Sequence, residues 1–163
     1  MAYKPILCLD FDGVVHSYTS GWKGPRNIPD RAMPGALEFI VKAQESFKVS
    51  IFSSRSNYLF GRHAMKKWLF AEYDKLIYLG LNKDDAIDNI PEWFTKLMFT
   101  TYTLDPIYII IDDTIKSIIK NIDFPKHKPP ALITVDDRCF KFEGKWPTVE
   151  YLENFKPWKV TTK

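Results

Sequence analysis

Four aspartates and a serine occupy positions where phosphate chemistry is possible. Asp10 and Asp12 stand in Leu9-Asp10-Phe11-Asp12-Gly13-Val14, directly after the apolar run Pro5–Leu9. Asp136 and Asp137 follow a second apolar run, Ala131–Val135, and Ser53 follows a third, Phe47–Phe52. Adjacent carboxylates repel unless a cation lies between them, and oxygen-rich sites with few His or Cys ligands suit magnesium. A phosphoryl-transfer site needs a nucleophile, a proton donor and acceptor, cations on the oxygens and a positioned phosphate. Asp10 is suited to attack phosphorus. Asp12, two residues on, points the same way in an extended chain and is suited to protonate the leaving oxygen and later activate water. Gly13 permits a sharp departure of the backbone. Ser53 offers a hydroxyl to a phosphate oxygen, which leaves a lysine to be found.

The elements that must position these residues alternate. Pro5–Leu9 reads as a strand buried on both faces of a parallel sheet. From Gly13 to Pro34 the chain turns rich in Gly, Pro, Ser, Trp and Arg, as a loop or flap with room for a short hairpin. Pro34-Gly35 opens a helix through Ala43, Phe47–Phe52 is a second strand, and a helix follows over about 58–73. This alternation is the start of a doubly wound α/β sheet, whose ligands bind beyond the carboxyl ends of the strands. Further on, Leu76–Leu81 reads as a strand, Pro91–Tyr102 as a helix, Pro106–Ile111 as a strand and Ile115–Ile122 as a helix. Ala131–Val135 is the last clear strand, before a short strand near 139–142 and a terminal helix near 148–155.

Periodicity leaves one ambiguity open. Ile109–Thr114 (IIIDDT) is also an apolar run ending in two aspartates, with Lys83 upstream, so Asp112 and Asp113 compete with Asp136 and Asp137 for the second half of a metal site. As the losing pair they would end a structural strand and cap the next helix.

The ordered set Asp10-Phe11-Asp12-Gly13-Val14, Ser53, Lys128-Pro129 and Asp136-Asp137 resembles the four motifs of the haloacid dehalogenase-like hydrolases. The strings HSYTSGWKG (16–24), SSRS (53–56), FPKHKPPALITVDDR (124–138) and WPTVEYLENFKPW are similar to a small, often phage- or prophage-encoded branch of that superfamily. The resemblance favours Asp136-Asp137 over Asp112-Asp113. It implies a Rossmann-like three-layer sandwich with a parallel central sheet, a small flap after the first strand and one domain over residues 1–163. It also implies Asp10 as nucleophile and magnesium ligand, and Asp12 as acid/base with its carbonyl on the metal. Ser53 would bind phosphate, Lys128 would stabilise charge, and Asp136 and Asp137 would complete the metal site. The second aspartate, Asp12, favours phosphate esters over carbon–halogen bonds. On this assignment residues 74–113 form an insert between the second and third motifs, either a small lid or extra helix on the sheet edge.

Around these residues, Gly13, Ser54, Trp22 and Lys23 read as substrate contacts, with Trp22, Lys23 and Arg26 in a flap suited to a nucleotide base and its phosphate. Arg55 either contacts phosphate or pairs with a nearby carboxylate. His16 reads as a surface loop residue, His63 and His127 as solvated, and Trp146, Phe155 and Trp158 as a terminal aromatic cluster. Cys8 and Cys139 lack metal-ligand spacing and read as buried thiols.

The expected activity is a magnesium-dependent phosphatase acting through an aspartyl-phosphate, on a nucleotide or a nucleic-acid end. The alternatives are a non-catalytic phosphate- or partner-binding module, a phosphotransferase and a sugar-phosphate phosphatase. A chain of 163 residues with net charge +3 lacks the dense basic face of a stable duplex binder. It shows no bilayer-length apolar stretch and no signal-peptide pattern, so a cytoplasmic protein is expected.

Overall fold

The computed structural model describes residues 3–81, 91–99, 107–139 and 147–154. Three parallel strands form its sheet: β1 (Ile6–Asp10), β2 (Lys48–Phe52) and β3 (Ile133–Val135), in the order β2-β1-β3. Among the described residues there are five α-helices: α1 (Ala36–Ser46), α2 (Gly61–Leu81), α3 (Glu92–Phe99), α4 (Ile107–Lys120) and α5 (Val149–Glu153). The α/β class and parallel sheet expected from the alternating pattern are therefore present, and the arrangement is consistent with a Rossmann-like fold. No described helix is long and apolar enough to cross a membrane.

β1 is central because its residues are apolar on both faces: Leu7, Cys8 and Leu9 are all buried. Its register aligns Leu9 with Ile51 on one side and with Val135 on the other. Outside β2, Asp123 extends the sheet by a single residue, since the Ile51 amide donates to the Asp123 carbonyl and the Asp123 amide to the Val49 carbonyl. β3 is more exposed than an interior strand: Ile133 and Val135 stand open to solvent, as does the preceding Leu132. The pairing begins before β3 itself, where the Leu132 amide donates to the Ile6 carbonyl.

α1 buries Leu37, Ile40 and Ala43, spaced three apart on one helical face. Its start is set by Gly35, whose φ of 78° is open to glycine, and its end by Phe47 in extended conformation. α2 buries Met65, Leu69, Tyr73 and Ile77 at four-residue steps, with Trp68 beside them. The Tyr73 hydroxyl donates to the Leu37 carbonyl at 2.9 Å and joins α2 to α1.

Two strand expectations fail here. Leu76–Leu81 continues α2, and Ile107–Ile111 opens α4. Both windows are so uniformly apolar that six residues cannot distinguish a period of 2 from one of 3.6. The longer pattern decides: Ile111, Ile115, Ile118, Ile119 and Ile122 are buried at helical spacing. The helix expected from about residue 58 begins instead at Gly61, after a 3₁₀ turn over Ser54–Asn57. The terminal helix is shorter than expected, running Val149–Glu153 with the Thr148 hydroxyl accepting from the Tyr151 amide. Of the strand expected near 139–142, Cys139 is not in a strand and 140–142 lie outside the described residues, as does the aromatic cluster of Trp146, Phe155 and Trp158.

The described parts of the segment 74–113 are helical, and Phe94 and Ile111 belong to the same buried core as Leu7, Leu9 and Ile51. Between Gly13 and Pro34 the chain forms a flap whose two ends are paired. The Ser17 amide donates to the Arg31 carbonyl and the Met33 amide to the Val15 carbonyl, closing residues 18–30 into a compact loop.

Candidate active site at the carboxyl edge of the sheet

The chain leaves β1 toward β2 on one side, and β3 returns on the other, so the strand order reverses between β1 and β3. A crevice opens at such a point beyond the carboxyl ends. The pairing of Leu9 with Val135 brings Asp10 level with Asp136 there. Ligand oxygens of Asp10, Asp136 and Asp137 all lie within 4.8 Å of one another.

This proximity has an electrostatic signature. Burial, followed by the Asp136 charge, pushes the Asp10 carboxyl from 3.8 up to about 7. Burial likewise raises Asp137, with Arg138 opposing and Asp136 reinforcing. Asp137 Oδ1 is buried without a hydrogen-bond partner, whereas Asp136 Oδ1 accepts from the Arg138 amide at 2.9 Å. Three crowded carboxylates, one with an oxygen that lacks a hydrogen bond and has Arg138 Nε at 3.7 Å, form an all-oxygen donor set that a cation would satisfy.

Gly13 forms the floor of this cluster. Its φ is 95°, and a Cβ there would stand 2.7 Å from Asp137 Oδ2 and 2.9 Å from Asp137 Cγ. Glycine is thus required twice, for the turn and for the close approach of the carboxylate.

Asp12 is placed elsewhere. Its side chain is the acceptor of a buried network: His16 Nδ1 donates to Oδ1 at 3.0 Å and Ser53 Oγ to Oδ2 at 3.0 Å, while Arg55 Nε reaches both oxygens at 3.1 and 2.9 Å. Burial alone would raise its pKa. The hydrogen bonds from His16 and Arg55, the Arg55 charge and the Ser53 bond outweigh it and hold the carboxyl below its ordinary value. Asp12 is therefore ionised and fully engaged.

Ser53 and Arg55 belong to the same network. Ser53 follows β2 in extended conformation and its Oγ also accepts from the Arg55 amide, which starts the 3₁₀ turn. Arg55 is 0 % exposed. Its Nη1 donates to the carbonyls of Gly24 (2.7 Å) and Asn27 (3.3 Å), its guanidinium lies 4.6 Å from the Trp22 ring centre, and its Nη2 has no partner. Of the two roles open to Arg55, pairing with a carboxylate is the one observed. It ties the flap to Asp12. Ser54, Lys23 and Lys128 are exposed. Lys128 makes no ion pair among the described residues, but its charge acts on both Cys8 and Cys139.

Other expectations change. Asp112 and Asp113 lie on α4 and pair with Lys116, one turn along the same helix. They are not at a strand end, and it is Asp136 and Asp137 that lie beside Asp10. His16, expected at the surface, is 0 % exposed: its ring stacks on Phe11 with centroids 5.4 Å apart and meets Trp68 edge-on at 5.3 Å. The local sequence carried a signal for this, because the apolar pair Val14-Val15 precedes it and an acceptor stands four residues back. Cys139 is exposed, unlike the buried Cys8, because it follows the strand end and is not within a strand. His63 and His127 are exposed as expected.

Sequence reasoning missed Asp30 and Glu72. Asp30 Oδ2 stands 3.6 Å from His16 Nε2 and accepts from the Ser20 amide, and its carbonyl accepts from Trp68 Nε1. Glu72 is buried and receives the Arg31 side chain, the Ala32 amide and Lys75. It borders a cavity of about 420 Å³ lined also by Met33, Leu37, Leu76 and Trp93, and both of its oxygens already accept hydrogen bonds. No protein-family model, curated protein or solved structure matches the chain.

Proposed function

We propose that the chain is a magnesium-dependent phosphatase of the haloacid dehalogenase-like type, hydrolysing phosphomonoesters through an aspartyl-phosphate on Asp10. The observation that carries this reading is the convergence of Asp10, Asp136 and Asp137 at the switch point of a parallel sheet, over a glycine that admits no side chain. The three carboxylates would hold the cation, which when bound supplies charge neutralisation at the phosphoryl oxygens.

In the first half of the reaction Asp10 Oδ attacks phosphorus, the ester P–O bond breaks, and the leaving oxygen takes a proton. In the second half water attacks the acyl-phosphate, giving inorganic phosphate and restoring the carboxylate. Asp12 is suited as the base of the second half, since its network keeps it ionised. Service as the acid of the first half requires that Asp12 first take a proton from solvent, which substrate favours by drawing Arg55 away; the water proton taken up in the second half then restores that acid. The unpartnered Arg55 Nη2 offers a phosphate oxygen the means to draw Arg55 away. Ser53 Oγ would exchange Asp12 for a phosphate oxygen, and Lys128, whose charge reaches this edge of the sheet, would balance the transition state.

A panel of nucleotides, phosphorylated oligonucleotides and sugar phosphates, assayed for phosphate release with magnesium, tests the proposal. Hydrolysis is expected to vanish in chelator and in Asp10→Asn with the fold intact by circular dichroism. Turnover that survived Asp10→Asn would refute a covalent mechanism on this residue.

A further inference from the structure

Two loops overhang the carboxyl edge of the sheet, the flap and the turn that joins β2 to α2. Their tips expose large apolar side chains: Trp22 (44 %), Tyr58 (53 %), Leu59 (79 %) and Phe60 (58 %). The Trp22 and Tyr58 rings lie 5.9 Å apart at 45° to one another. Both are fixed from below, Trp22 over the buried Arg55 guanidinium and Tyr58 by its amide, which donates to the Arg55 carbonyl.

The turn is tightly packed for a steric reason. A Cβ on Gly61 would lie 2.0 Å from the Arg55 carbonyl oxygen, so the chain folds back onto Arg55 there. Phe60 meanwhile holds φ at 61°, a conformation that costs a bulky residue on the order of 1 kcal/mol. Strain that keeps an aromatic ring in solvent contributes nothing to a core.

Charge surrounds this platform unevenly. No Asp or Glu occurs from Gly13 to Pro29 or from Ser53 to Ala71. The same two stretches carry Lys23, Arg26, Arg62, Lys66 and Lys67, all exposed. None of these five makes an ion pair among the described residues. Arg62 and Lys66 are four apart on α2 and so share a helix face, as do His63 and Lys67, giving a cationic track that starts next to Phe60. Aromatic rings beside unpaired cations match an unpaired polynucleotide, whose bases stack while its phosphates follow the charge. Duplex has no free base faces to offer the rings.

We propose that Trp22 and Tyr58 form a stacking platform for an unpaired base, with Arg62 and Lys66 contacting the phosphates behind it. The chain would thus bind the end of a single nucleic-acid strand and direct its terminal phosphate toward Asp10. The assignment of the terminal phosphate rests on the phosphatase reading above; the platform itself does not. The connection is short, since Arg55 lies under Trp22 and touches Asp12 at 2.9 Å.

The test is fluorescence anisotropy of a fluorescein-labelled 12-nucleotide single strand with the full chain in chelator, so that no turnover occurs. The same strand in duplex form and an acidic peptide serve as competitors. Single strand is expected to bind more tightly than either. Trp22→Ala and Tyr58→Ala should each weaken it on the order of tenfold, and the double change Arg62→Gln with Lys66→Gln should flatten the salt dependence by about 1.4 in log–log slope. Duplex or acidic peptide that bound as tightly, or affinity indifferent to both ring removals, would overturn the platform. Hydrolysis of p-nitrophenyl phosphate is read alongside. Hydrolysis without strand binding would remove the platform and leave the phosphatase standing; strand binding with no hydrolysis of any ester would do the reverse.

Discussion

Replacing Asp10 by Asn should stabilise the metal-free protein above neutral pH while destroying its activity. The carboxyl is raised from 3.8 to about 7 by burial and by the neighbouring Asp136. A carboxyl raised on folding is protonated more readily in the native state. The stability it allows is therefore complete below its unfolded value and is lost as pH climbs from about 4 to about 7. At about 1.36 kcal/mol per pH unit, the full cost above pH 7 is about 4 kcal/mol, and solvent reaching the partly exposed group trims it to about 2–4 kcal/mol. Asn carries no charge and avoids this cost. For a chain of this size, at about 2–4 °C per kcal/mol, Asp10→Asn should melt roughly 5–15 °C above wild type at pH 8 in chelator, with the gap closing near pH 4. Millimolar magnesium should raise the wild-type Tm much more than that of the variant, because the cation relieves the repulsion that the substitution has already removed. Thermal unfolding followed by circular dichroism, at pH 4 to 8 with and without magnesium, reads all of this. An Asp10→Asn protein less stable than wild type at pH 8 in chelator would refute the idea that these carboxylates are held against their own repulsion.

Gly13→Ala places a methyl group 2.7 Å from Asp137 Oδ2 at a φ of 95°. It should cost on the order of 1–2 kcal/mol of stability and weaken magnesium activation much more than it lowers Tm, which a metal titration of turnover measures. Arg55→Ala leaves Asp12 buried without its counter-charge and unties the flap from Gly24 and Asn27. Urea unfolding should show a loss of about 3–5 kcal/mol, with only partial recovery in Arg55→Lys, which cannot reach carboxylate and carbonyls together. Asp112→Asn and Asp113→Asn alter an exposed helix pair with Lys116. Each should change stability by less than about 0.5 kcal/mol and leave phosphate release unaltered; a lost metal requirement in either would reinstate that pair at the site.

How much of this was legible beforehand differs by element. β1, β2 and α1 could be read because each is a short segment with one dominant pattern, an apolar run or a three-residue repeat, closed by Gly or by a polar residue. α4 could not, because Ile107–Ile111 is apolar at every position and the residues that reveal its period come after Asp112-Asp113. The difference matters, since a strand there would supply a third acidic strand end, in competition with that of β3. His16 was misjudged for a related reason: its burial depends on Phe11 and Trp68 closing around it, and Trp68 is fifty-two positions away.

Apolar runs in the sequence mark the polar residues that close them, Asp112 and Asp113 among these, though not which of the runs are strands. That was enough to nominate Asp10, Asp12, Ser53, Asp136 and Asp137. How they divide depends on the three-dimensional arrangement. Register along β1 and β3 gathers Asp10, Asp136 and Asp137 into one cluster, while the Asp12 carboxylate is taken up by Arg55, Ser53 and His16. Pairing across strands and the direction of a side chain after a turn depend on contacts made far along the chain. No local pattern contains them.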